Sequence, residues 1–185
     1  MNRFNDATVP VDLPSRLVRG VPGELIRLPI VAHEDAPQII AYLKQLSLHF
    51  GRDHRIREFT VSLFPPTIVN NDLDRMLQIV IDFVRDRLVY VPDPVGTEYV
   101  ISPLVLLERI ISNGRAAGDC DDHVLLFNAM ALSIGFDVRV AGVHLNDPQR
   151  WDHVISQVYH GNRWRDIDLC LKTASIPDYD EKLVS

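Results

Sequence analysis

Along "HEDAPQIIAYLKQLSLHFG" the apolar side chains Ile39, Ile40, Leu43, Leu46 and Phe50 fall on one face at helical spacing. That pattern predicts a helix capped by Asp35, with Pro37 in its first turn and Gly51 as its stop. The spacing returns in "NDLDRMLQIVIDFVRDRL", where Leu73, Met76, Leu77, Val80, Ile81 and Val84 point inward behind a cap at Asn71 or Asp72. Between these stretches, residues 52–68 have no clear period, and Pro65-Pro66 ends whatever they form. Ser102-Pro103 opens a third helix, a cap followed by proline at the first position, which runs to Asn113-Gly114. In "CDDHVLLFNAMALSIG" the apolar positions Val124, Leu125, Leu126, Phe127, Met130, Leu132 and Ile134 lie almost all round the helix. Such a helix is buried, so this one is expected at the centre of the fold, ended by Gly135.

The remaining patterns are extended. "VYVPDPVGTEYVI" reads as a loop around Pro92 and Pro94 with short extended pieces, and residues 1–33 as an extended arm or irregular strands. "FDVRVAGVHL", "DHVISQVY" and "RWRDIDL" are strand material. Gly161-Asn162 between the last two is a two-residue hairpin signal, with glycine first as a type II′ turn prefers. With those two residues as the loop, Gln157 pairs with Asp166, Ile155 with Asp168 and His153 with Cys170. Side chains alternate along a strand, so His153, Ile155, Asp168 and Cys170 share a face. His153 and Asp168 are then diagonal neighbours, about 7–8 Å apart at the backbone, within reach of a hydrogen bond between their side chains.

Composition narrows the classes. The 185 residues, 46% of them hydrophobic, suit one α+β domain with an added arm and a core that needs no disulfide or metal. A net charge of −6 argues against binding nucleic acid through phosphate neutralisation. No apolar run is long enough to span a bilayer, and "MNRFNDATVPVDLPSR" lacks the apolar stretch of a signal peptide. With two cysteines, Cys120 and Cys170, there is no disulfide framework, and the expectation is a protein cytoplasmic where made.

The chemistry centres on "GDCDDH". Cys120 falls in the first turn of the central helix, where free N–H groups and the helix dipole favour a thiolate. Asp119 can cap that helix, with Asp121 and Asp122 in the first turn, yet these acids oppose ionisation of Cys120 and demand a cationic partner. His123 reads as a residue that packs or hydrogen-bonds beside the first turn, which leaves His153 as base and Asp168 as its orienter. Cys170 reads as a small packing residue that could also tune or oxidatively block the site. Trp164 reads as a core or rim aromatic rather than a substrate platform. Tyr90, Glu98 and Tyr99 could supply a groove wall or oxyanion donor, and nothing in the sequence selects among them. A metal set of Asp119, Cys120, Asp122, His123 and His153 lacks paired ligand spacing, so no metal is expected.

Gly118 and Cys120 at a helix start, His153 leading a strand, then Trp164 and Asp168, resemble the transglutaminase-like cysteine enzyme superfamily over about residues 70–185. The resemblance implies a papain-like core, a cysteine-bearing helix packed on an antiparallel sheet that carries histidine and aspartate. On this reading residues 1–70 are an arm and helix packed on the core, and 71–185 are the catalytic core. It also implies acyl transfer through a thioester, with Cys120, His153 and Asp168 as triad, a peptide or protein substrate and no cofactor. Leu169-Cys170 departs from the Pro or Thr that often follows the aspartate in this family. "LVYVPDPVGTEYVISP" further resembles small phage and prophage members. That resemblance implies either a hydrolase or a virion, tail or assembly protein that keeps the fold and meets other phage structural proteins.

Overall fold

The computed structural model describes residues 18–19, 25–28, 36–68, 72–94, 98–145, 151–171 and 182–185. Its centre is helix α5, Cys120–Ser133, whose residues Asp121 to Ala131 are all buried. Among the described residues, four other helices surround it: α1 (Ala36–Phe50), α2 (His54–Ser62), α3 (Leu73–Arg87) and α4 (Pro103–Asn113). A four-stranded antiparallel sheet covers the remaining side, with strand β6 (Asp137–Val143) between β7 (His153–Tyr159) and β9 (Lys182–Val184), and β8 (Trp164–Ile167) on the edge beside β7. This is the expected α+β architecture of a buried cysteine-bearing helix against an antiparallel sheet.

The helices form where the apolar spacing predicts, with informative departures. In α1 the buried stripe is Ile40, Tyr42, Leu43, Leu46, Ser47 and Phe50, packed on α5 and β6; Asp35 lies outside the described residues. Gly51 has no left-handed backbone; a Cβ there would stand 2.6 Å from the Leu132 Cβ, so glycine permits close approach of α1 to α5. Residues 54–62 form α2, capped by Asp53 through the Arg55 N–H, and burying only Ile56 and Thr60. Its docking is partly polar, since the Arg57 guanidinium donates to the Ser133 carbonyl at the end of α5. Helix α3 takes Asp72 as cap and buries Leu77, Val80, Ile81 and Val84, but Leu73 is exposed because the first turn extends beyond the core. Helix α4 behaves as expected, from the Ser102 cap to Gly114 in the left-handed region at φ 80°.

Two small ladders brace the start of α5. Strand β3 (Leu88–Tyr90) pairs in parallel with β5 (Ala116–Gly118), which places Tyr90 opposite Gly118. Strand β4 (Glu98–Ile101) pairs with β2 (Leu25–Leu28), and β2 with β1 (Val18–Arg19).

In the β7–β8 hairpin, Tyr159 pairs with Trp164, Gln157 with Asp166 and Ser156 with Ile167, the register that a two-residue loop requires. The turn is type I′ instead of II′, because both Gly161 (φ 63°) and Asn162 (φ 60°) are left-handed. Asparagine tolerates that region better than other side chains, so it can fill the second position. The ladder stops at Ile167, so Asp168 and Cys170 stand in a turn just past β8 and not in the strand itself.

Candidate active site

The start of α5 is built by a reciprocal cap. The Asp119 carboxylate accepts from the Asp121 N–H at 3.1 Å, and Asp122 reaches back to the Asp119 N–H at 3.3 Å. The other Asp122 oxygen accepts from the Ile101 N–H at 2.6 Å, tying β4 to the helix. Gly118 makes room for this arrangement, since a Cβ on it would lie 2.5 Å from the Asp122 carboxylate and 2.6 Å from its Cβ. The glycine two residues before the cysteine is thus fixed by packing. Burial, then the Asp119 charge, push the Asp122 carboxyl well above its ordinary range, while the two amide donors pull it down.

Cys120 is half-buried at the first position of this helix. Its thiol donates to Asp121 Oδ1 at 3.8 Å, and the peptide N–H of Val154 on β7, the residue after His153, acts on the sulfur in favour of ionisation. The register explains why that donor is available. Val154 shares the parity of Ser156, the last β7 residue paired with β8, and the termination of β8 leaves the next N–H on that side without a strand partner. The end of one strand therefore lets a helix terminus reach the next.

One residue before Val154, His153 meets Asp168. The His153 Nε2–H donates to Asp168 Oδ2 at 2.9 Å, with both residues buried. Asp168 Oδ1 accepts from the N–H groups of Cys170 (2.9 Å) and Leu171 (3.2 Å), so both carboxylate oxygens are engaged. Behind it, Arg85 of α3 donates to the Asp168 carbonyl at 2.6 Å. The carboxylate fixes the neutral imidazole as the Nε2–H tautomer and leaves Nδ1 as an acceptor. Arg85 had no signal in the sequence, being a helix residue 83 positions away from its partner.

His123 is not part of this pair. Its Nδ1–H donates to the Asp119 carbonyl at 2.6 Å, and Nε2 lies 3.3 Å from the Leu88 carbonyl. Burial pushes its pKa down, the Asp119 and Leu88 carbonyls pull the other way, and the ring serves the backbone around the cap. Asp122 and His123 are thus committed to backbone groups, and the five-residue metal set weighed from the sequence is not assembled. Trp164 sits on β8 opposite Tyr159, with the Arg139 guanidinium 4.2 Å over its ring. It lies at the hairpin end of the sheet, roughly 20 Å along β7 from His153 at ordinary strand rise, which makes it a rim aromatic.

The electrostatics correct one expectation. Burial first, then the charges of Asp121 and Asp119 and the neighbouring Cys170, push the Cys120 thiol well above its ordinary value of 9.0; the Val154 N–H works the other way. The helix terminus alone does not make a resting thiolate here. Burial and the charge of Asp168 raise the Cys170 thiol as well. Tyr90, half exposed on β3, is pushed up to about 12 by burial and by the charges of Cys120 and Asp119, and so keeps its proton.

These raised groups set an alkaline limit. Above pH 9.0 the unfolded chain releases thiol protons that the folded chain retains, so unfolding is favoured by rising pH. The stabilisation is complete below the unfolded thiol value and is lost as pH climbs toward the folded one. Thermal unfolding of the wild type from pH 8 to 10 should therefore show a steeper fall in Tm than the Cys120→Ala/Cys170→Ala variant. Parallel curves would refute the assignment.

Among the described residues, no helix is long and apolar enough to cross a membrane. No curated protein has a sequence that matches this chain. Among solved structures, the chain resembles a putative cysteine protease from Cytophaga hutchinsonii at 16% identity, covering 79% of this chain and 49% of that one, with a TM-score of 0.46. It also resembles a putative protease from Parabacteroides distasonis at 15% identity, covering 75% and 26%, with a TM-score of 0.49. The chain thus spans less than half the length of either protein. The family model of the transglutaminase-like superfamily matches residues 67–169, a stretch that holds Cys120, His153 and Asp168. With more than half of its length matched, the chain belongs to the transglutaminase-like superfamily.

Proposed function

We propose that the protein is a cysteine hydrolase that cleaves peptide or protein amides through a thioester on Cys120. The observation that carries this reading is the junction at the start of β7. There His153 gives its Nε2–H to the buried Asp168 at 2.9 Å, one residue before the Val154 N–H that acts on the Cys120 sulfur at the start of α5.

The chemistry follows from those roles. The His153 Nδ1 takes the thiol proton as sulfur attacks the amide carbon, since the raised thiol holds its proton until then. Asp168 steadies the resulting imidazolium. The Cys120 N–H, at the first position of α5, has no intrahelical acceptor and is one donor to the tetrahedral oxyanion. The second is the Tyr90 phenol, which keeps its proton and stands on β3 opposite Gly118, two residues before Cys120. Collapse of the intermediate breaks the C–N bond and the amine leaves with the proton from His153; water, deprotonated by the same nitrogen, then attacks the thioester carbon, the C–S bond breaks, and the proton returns to the Cys120 sulfur as the acid leaves.

Alkylation tests the nucleophile. With iodoacetamide, Cys120 should be modified faster than Cys170 in the native protein, and its rate should keep rising with pH beyond 9.0, the ordinary thiol value. Peptide mapping of partly alkylated protein, alongside residual hydrolysis of a fluorogenic peptide library, gives both readouts. Equal rates at the two thiols, with no peptide turned over, would favour a binding or virion protein on the same scaffold.

A further inference from the structure

Cys170 has no part in the proposed hydrolysis, and the family pattern does not call for it. Its position is nonetheless fixed. The turn after β8 folds back so that the Cys170 N–H meets Asp168 Oδ1 at 2.9 Å, and the thiol is carried to the His153–Asp168 pair. One ligand-type atom from each of His153, Asp168 and Cys170 lies within 4.8 Å of the others. Donors around a tetrahedral zinc ion stand about 3.3–3.8 Å apart, so these three need only small side-chain rotations to close on one. Imidazole, carboxylate and thiolate are the donor types zinc prefers.

The geometry points to a zinc site formed by His153, Asp168 and Cys170, through which a divalent thiophilic cation switches the hydrolase off. The local charge favours it. Asp119 and Asp121 act on Cys170 in addition to Asp168, opposed by Arg85, which is engaged with the Asp168 carbonyl. The carboxylates that disfavour a bare thiolate favour a cation bound to it. Binding balances simply: the Cys170 thiol gives its proton to solvent, S–Zn, N–Zn and O–Zn bonds form, and no electron moves.

Inhibition follows from the tautomer. Zinc on Nε2 breaks the hydrogen bond to Asp168 and forces the proton onto Nδ1, while zinc on Nδ1 consumes the base's lone pair directly. In either case His153 no longer accepts the Cys120 proton. This regulatory consequence rests on His153 being the base; the site itself does not.

Cobalt(II) and zinc titrations of the full chain separate the two. Wild type and Cys120→Ala should both develop a thiolate-to-cobalt charge-transfer band that zinc displaces. Cys170→Ala should lose the band. Outer-shell changes already cost about 10–100-fold in metal affinity, so losing the thiolate ligand should weaken zinc by more than about 100-fold. In hydrolysis assays, zinc should inhibit the wild type and leave Cys170→Ala active, with circular dichroism confirming its fold. A band that persists in Cys170→Ala, or one lost in Cys120→Ala, would overturn the site and move the metal to the Asp119–Cys120–Asp121 cluster. Absence of any band would overturn it outright. Should the wild type hydrolyse nothing, the cobalt spectra still decide whether the site exists, so the two readings fail separately.

Discussion

Cys120→Ala and His153→Ala should each lower kcat by at least about 10⁴-fold, whereas His123→Ala should retain measurable turnover in whatever fraction folds. The asymmetry comes from hydrogen bonds. His153 gives Nε2–H to a buried carboxylate and keeps Nδ1 as an acceptor, while His123 points both nitrogens at backbone carbonyls. His123→Ala is thus a stability change, removing a donor from the Asp119 carbonyl at the cap. Asp168→Asn keeps the shape of the turn but presents the imidazole with an amide. It should lower kcat by about 10³–10⁴-fold through the wrong tautomer, with little change in KM. The four variants, assayed on one fluorogenic peptide and compared by thermal unfolding, separate these roles. Full activity in His153→Ala would remove the proposed base, and with it the Cys120–His153–Asp168 mechanism.

The hairpin shows what sequence makes legible. Loop length fixes register, so Gly161-Asn162 was enough to pair Gln157 with Asp166 and bring His153 toward Asp168. It could not say where β8 stops, because the Asp168 carboxylate is satisfied by amides of its own turn, which draws the chain out of the ladder. Turn type is not legible from the glycine alone, which fits the first position of both II′ and I′; Asn162 decides for I′ by adopting φ 60°. Helix α2 escaped the apolar pattern because it buries just Ile56 and Thr60, too narrow a stripe to stand out among charges. The shift in the Cys120 thiol was equally hidden. A helix start is visible in sequence, but burial and the sum of neighbouring carboxylates exist only once the chain has folded.

Gly118→Ala should destabilise the fold by roughly 3 kcal/mol, the upper part of the range for overpacking a well-filled site. The new Cβ would meet Asp122 at three atoms between 2.5 and 2.9 Å, one of them the Asp122 Cβ, which the helix backbone holds in place. Rotating the carboxylate cannot relieve that contact. It would also strip acceptors from the buried N–H groups of Ile101 and Asp119, at about 1–3 kcal/mol for each donor left unsatisfied. The alternative is movement of the first turn of α5, which displaces Cys120 from its place beside β7 and costs activity even in molecules that remain folded. Asp122→Gly tests the mechanism, because it deletes both the cap and the obstacle. Urea unfolding of the single and double variants should show Gly118→Ala costing at least about 1 kcal/mol less in the Asp122→Gly background than in the wild type. Strict additivity would mean that the glycine before the cysteine is required for some reason other than its contact with Asp122.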